Sequence, residues 1–211
     1  MNYPVQAGSI DDTSPVAAGE GERRHGRRHV TVLRIAKIMR TPGDELCVIR
    51  NISDGGVMAH LYAPARVDEP VVIEFKSGAQ LAGRVRWARG DDAGIQFLHP
   101  IDMESFLAGE GDVATGGEPR APRLGVGLSA VARIGTRMHP VTICDISQGG
   151  LKMARVVGAD VDQKLVVRVA GLPPLSGTVR WCDDRFAGVA FDHPLVFTVL
   201  ARWAAETDGR V

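Results

Sequence analysis

Residues 51–100 and 145–194 are two copies of one segment. With a constant offset of 94 and no gaps, 18 of 50 positions are identical, among them Ile52/Ile146, Ser53/Ser147, Gly55/Gly149 and Gly56/Gly150. Val85-Arg86-Trp87, Ala93-Gly94, Phe97 and His99-Pro100 also recur as Val179-Arg180-Trp181, Ala187-Gly188, Phe191 and His193-Pro194. Unrelated segments of ordinary composition would share roughly 3. A fixed-offset match of this length is an internal duplication. Two copies are too few for a solenoid, so the chain reads as two domains of one fold.

The length agrees. The 211 residues divide into two domains of roughly 80–95 residues, an ordinary size for one small core each. Formal net charge is zero, which disfavours a nucleic-acid or anionic-membrane role. No run of 18 apolar residues spans a membrane and no apolar segment near the start reads as a signal peptide, so a cytoplasmic protein is expected. Cys47, Cys144 and Cys182 are odd in number and fall at non-equivalent repeat positions. They read as reduced core thiols, with no metal or disulfide role. Arginine outnumbers lysine 21 to 4, the composition of a GC-rich bacterial gene.

Local signals predict an all-β fold. Residues 1–22 read as a disordered tail and lead into a basic arm, Arg23-Arg24-His25-Gly26-Arg27-Arg28-His29. Strands are expected over 30–39, 45–52, 57–62, 69–76, 80–89 and 92–98, with turn residues every eight to twelve positions. Six short strands in about 75 residues argue for a small antiparallel barrel. A helix is expected from Pro100, with His99 near its N-cap and Met103, Phe106 and Leu107 on one face. Residues 110–118 read as a linker. The second copy repeats the pattern over 124–134, 140–146, 149–156, 163–170, 174–182 and 186–191. Its helix, 194 to about 207, packs through Leu195, Val199, Leu200 and Trp203, and its excess apolar surface suits the first domain or a second chain. Trp87 and Trp181 are expected in the cores rather than on a stacking surface.

The turn carries the candidate chemistry. Asn51-x-Ser53-x-x-Gly56 ends a strand, behind an arm with arginines four apart. This order resembles the PilZ domain, as do the Gly83-x-Val85-x-Trp87 strand and the Ala93-Gly94-Ile95-x-Phe97 strand. The resemblance covers both copies. It implies two tandem six-stranded antiparallel barrels, each followed by a C-terminal helix, over residues 23–109 and 119–208. It also implies a receptor for cyclic di-GMP, with Arg23, Arg24, Arg27, Arg28, Asn51, Ser53 and Gly56 at the ligand. Aligning Arg123 with Arg27 favours Arg23 and Arg27 within the arm.

The residue types suit such a ligand. An arginine fork donates two parallel hydrogen bonds to a phosphate or to guanine O6 and N7, and its plane stacks on a base. Asn51 and Ser53 offer acceptors to a guanine edge, and a glycine permits close backbone approach. The bland alternative is a capped β-turn. In the second copy Asp145, Ser147 and Gly150 complete the turn, and Arg123 stands in the arm. Pro119 replaces the first arginine and Arg120 is displaced by one, so this copy is expected to act as a scaffold, with a second ligand site at Arg120, Arg123, Asp145, Ser147 and Gly150 as the alternative.

The resemblance implies that ligand folds the arm over the first barrel and changes the domain arrangement or the binding of a protein target. The alternative is a ligand-free adaptor, and homodimerisation through the last helix is a further expectation. An enzyme is not expected: neither Ser53 nor Ser147 lies in a nucleophile elbow, and the two histidines are read as helix caps. No cofactor and no metal are expected, and nucleic-acid binding lacks an aromatic ladder.

Overall fold

A computed structural model describes residues 30–41, 43–111 and 121–207. Arg23, Arg24, Arg27, Arg28 and Arg120 lie outside the described residues. The first repeat contains strands β1 (Val30–Met39), β2 (Asp44–Ser53), β3 (Gly56–His60), β4 (Pro70–Glu74), β5 (Gln80–Arg89) and β6 (Asp92–Phe97), then helix α1 (Met103–Gly111). The second contains β7 (Leu124–Ile134), β8 (Arg137–Ser147), β9 (Gly150–Ala154), β10 (Lys164–Val169), β11 (Leu175–Cys182) and β12 (Phe186–Phe191), then α2 (Phe197–Glu206). Each set of strands closes into an antiparallel barrel, in the order β1-β2-β3-β6-β5-β4 and its repeat β7-β8-β9-β12-β11-β10. Inward positions carry Ile38, Ile49, Ile73, Val85 and Ile95 in one barrel. Ile143, Met153, Val167, Val179 and Val189 fill the other. Six strands enclose only enough space for such side chains, so the interior is a core and function is confined to the outside.

The duplication extends further than the sequence match. Val30 pairs with Ile52 and Leu124 with Ile146, so the offset of 94 holds back to the first strand of each barrel. That corrects the alignment of the arms. Arg123 takes the position of His29, not of Arg27, and the second repeat gives no basis for choosing between arm registers.

Both helices begin later than expected. α1 starts at Met103 and α2 at Phe197, so His99 and His193 are exposed residues ahead of the helices and do not cap them. At α1, Asp102 performs that role. Its carboxylate accepts from the N–H of Glu104 (3.2 Å) and from the Ser105 hydroxyl (2.6 Å), which holds it below the usual carboxylate range. In α2 the buried face is Leu200, Ala201 and Trp203, whereas Val199 is exposed.

α2 joins the barrels. Trp203 Nε1 donates to the Ala170 carbonyl at 2.8 Å, fixing the helix to its own barrel. Phe197 meets Tyr62 of the first barrel edge-to-face, with ring centroids 5.9 Å apart. Leu46, on the outer face of β2, is 1% exposed and belongs to the core of the second barrel. Glu45, Leu46 and Cys47 are therefore all buried, a break in strand alternation that marks where α2 covers the first barrel.

Candidate functional site

Bulges build the outer face of the first barrel. The β2–β3 ladder shifts register between Ile49 and Asn51, and the β5–β6 ladder shifts between Val85 and Trp87. Each shift inserts one residue, so two consecutive side chains point outward: Arg50 with Asn51, and Arg86 with Trp87. Asn51, Ser53, Gly56, Arg86, Trp87 and Gln96 line an open cavity of about 410 Å³ between these bulges.

The turn is held from within. Ser53 is 4% exposed, and its hydroxyl donates to the Gly56 carbonyl at 3.2 Å. Its hydrogen closes the hairpin and leaves only the oxygen lone pairs for a ligand. Asn51 Oδ1 accepts from the Met58 N–H at 3.2 Å, a backbone donor beside the bulge. Asn51 Nδ2 donates weakly to Met58 Sδ at 3.9 Å, which leaves one lone pair and one N–H, so Asn51 offers a donor as well as the expected acceptor. Gly56 is required by close approach and not by a left-handed turn: a Cβ there would lie 2.2 Å from the Ile95 carbonyl oxygen. Asp54 ties the turn to α1, its carbonyl accepting from Ile101 N–H at 2.8 Å and its carboxylate from Met103 N–H at 3.3 Å.

Trp87 overturns its expected place in the core. It is 37% exposed, and its indole lies flat over Gly94 on the outside of the barrel, where it forms a wall of the cavity. Arg86 beside it donates to Gln96 Oε1 (2.7 Å) and to Asp68 Oδ1 (3.1 Å). Asp68 holds a left-handed φ of 64°, a conformation that aspartate tolerates better than most side chains. Trp87, Arg86 and Gln96 were not anticipated as site residues. The signal was present in the repeat, since Asp162, Arg180, Trp181 and Gly188 recur together, Asp162 with φ 65° and Trp181 at 43% exposure.

The second barrel departs at the turn. Ser147 repeats the closure, donating to the Gly150 carbonyl at 3.2 Å. Asp145, however, accepts an ion-paired hydrogen bond from Arg123. Lys152 stands at the position of Met58, directly across the ladder from Asp145, and Ala190 stands at that of Gln96. The turn carboxylate is thus already paired with an arginine of its own chain, while the Lys152 ammonium lies over the Phe186 ring at 4.5 Å.

Residues 22–108 match the family model described as PilZ domain. The first barrel is a PilZ domain, and the repeat makes the chain a tandem of two barrels of that topology. No curated protein matches the chain significantly. Among solved structures it is similar to PlzA of Borreliella burgdorferi in complex with c-di-GMP, at 14% identity and TM-score 0.37, covering 82% of this chain and 92% of that one. It is also similar to the Bacillus subtilis inhibitor of motility MotI/DgrA, at 11% identity and TM-score 0.33, covering 84% and 97%. A third is YcgR from Escherichia coli in complex with c-di-GMP, at 10% identity and TM-score 0.31, covering 83% and 84%. Scores this low place no ligand on this chain.

Proposed function

We propose that the chain is a bacterial cyclic di-GMP receptor, without catalytic activity, whose ligand seats on the outer face of the first barrel. The observation that carries this reading is the coincidence of the PilZ match with the cavity of about 410 Å³ at its turn. The cavity combines an indole wall for a base with amide and hydroxyl groups for its edge and a guanidinium for the phosphates. Arg23, Arg24, Arg27 and Arg28 close the site from the arm, which lies only a few residues before β1. The second barrel acts as scaffold, because Arg123 already pairs with Asp145. Ordering of the arm changes the relation of the barrels across α2 or the surface offered to a protein target, as a population shift in the cytoplasm.

Calorimetric titration of cyclic di-GMP into the full chain tests the reading. One saturable site, lost in Arg23→Ala/Arg27→Ala and in Asn51→Ala/Ser53→Ala but kept in Asp145→Ala/Ser147→Ala, is expected. Two sites would refute the scaffold role. No binding by the wild type would leave the adaptor reading in its place.

A further inference from the structure

We infer that a groove beside the turn cavity, built on Arg50, His60 and Tyr62, is a second subsite for the same cyclic dinucleotide and takes its other guanine–ribose–phosphate half. The inference rests on the receptor reading and names residues beyond the turn and the arm. The groove measures about 540 Å³ and shares Asn51 and Met58 with the turn cavity, so the two adjoin across these side chains. The β2 bulge divides its outward pair between them: Asn51 lines both, and Arg50 lines the groove alone. A ligand with two identical halves presents one set of recognition groups twice, and two adjoining cavities match that form.

The groups in the groove are chemically suited and loosely held. The Arg50 side chain is 43% exposed, and its contacts to Asp92 (3.4 Å) and His60 Nδ1 (3.3 Å) are long. His60 Nδ1 lies closer to Asp92 Oδ1, at 3.1 Å. One ring nitrogen cannot accept from Arg50 and donate to Asp92 together. With the proton on Nδ1, His60 holds Asp92, and the guanidinium, left with its long 3.4 Å contact to the other Asp92 oxygen, can turn onto a phosphodiester or a guanine edge. Asp92 then keeps a donor after Arg50 has moved. Tyr62 fixes the imidazole edge-to-face at 5.1 Å, and the two rings supply apolar surface for a base.

The second repeat supplies the internal comparison. It keeps Ser147, Gly150, Arg180 and Trp181, but it carries Cys144, Ala154, Val156 and Phe186 where the first has Arg50, His60, Tyr62 and Asp92. The same barrel closes without these groups, so the fold does not demand them. They occur together in the barrel whose turn carries Asn51 and not in the one whose turn carboxylate pairs with Arg123.

Calorimetry of cyclic di-GMP with the full-length wild type, Arg50→Ser/His60→Ala, Arg50→Lys and Asn51→Ala tests the inference. The double substitution leaves small residues like those of the second barrel, and an unchanged melting temperature confirms folding; should it fail to fold, Arg50→Ser alone is read in the same way. Affinity ten-fold or more below wild type, with Arg50→Lys between the two, is the expected result, since loss of a bidentate arginine contact has an effect of about that size. Arg50→Ser/His60→Ala within two-fold of wild type, while Asn51→Ala is weakened, overturns the subsite and leaves the receptor reading standing. A wild type that gives no saturable heat overturns both.

Discussion

Replacing Gly94 by alanine puts a single methyl group beneath Trp87. The added Cβ would lie 2.0 Å from the indole Nε1, 2.3 Å from Cε2 and 2.7 Å from Cδ1. Ordinary carbon contacts are about 3.5–4.0 Å, so the ring must retreat by roughly 1.5 Å or swing off the sheet. Because Trp87 is 37% exposed it has room to leave, and the cost is that of overpacking a surface contact, about 1–3 kcal/mol. If the 211-residue chain melts as one unit, the midpoint of about 2 kcal/mol corresponds to a fall in melting temperature of roughly 4–8 °C. Gly188→Ala is the matched control: its Cβ would lie 2.0, 2.2 and 2.7 Å from the same three atoms of Trp181. Calorimetric scanning should therefore give similar destabilisation for the two variants. Titration with cyclic di-GMP should separate them, with Gly94→Ala weakened at least ten-fold and Gly188→Ala unchanged. Equal loss in both would refute the assignment of the site to the first barrel. An unchanged affinity in Gly94→Ala would refute the role of Trp87 as a wall of the site.

Four further outcomes are expected. Ser53→Ala and Ser147→Ala each remove a buried hydroxyl-to-carbonyl bond and should each cost about 1 kcal/mol in urea unfolding, and a difference above that amount would contradict the equivalence of the two turns. Phe197→Ala removes the edge-to-face contact with Tyr62 and should lower stability by about 1–3 kcal/mol while loosening α2 in hydrogen exchange; wild-type protection of the helix would mean that α2 is not held by the first barrel. Burial raises the pKa of Glu45 against the lowering effect of Arg40, so the folded state holds that proton more tightly than the unfolded chain does. Its contribution is therefore complete below the ordinary carboxylate range and declines as pH rises through the raised value, and Glu45→Gln should flatten that limb of the stability–pH curve, whereas parallel curves would count against it. Finally, Cys47 is fully buried with its thiol pushed up to about 12, so iodoacetamide at mild alkaline pH should modify Cys144 and Cys182 well before Cys47.

The fold was largely legible because both of its signals are local. Alternation of apolar residues and regularly spaced turn residues mark each strand, and the duplication checks every assignment against a second copy. The helix starts were missed for a local reason too. Proline at 100 and 194 suggested a first helical position, but two non-helical residues separate each from its helix, and Asp102 with Ser105 forms the better cap for α1. The site was legible only in part. Asn51, Ser53 and Gly56 stand in one run of sequence and are brought together by the hairpin itself.

Trp87, Arg86 and Gln96 reach the turn only because β3 pairs with β6 and β6 with β5. Sequence by itself determined that there are two barrels of one topology, with a complete turn in each and a full arginine arm ahead of the first. Those properties depend on side-chain period, turn chemistry and repetition, which are written along the chain. Tertiary structure alone decided that Trp87 and Trp181 face outward. An aromatic residue in an alternating strand reads as core until a bulge shifts its register and a glycine on the neighbouring strand gives its ring a seat. It also decided that Leu46 is buried by the other barrel and that Arg123 meets Asp145. These are contacts between segments distant in sequence, fixed by barrel closure and by the packing of α2, and no local pattern encodes them.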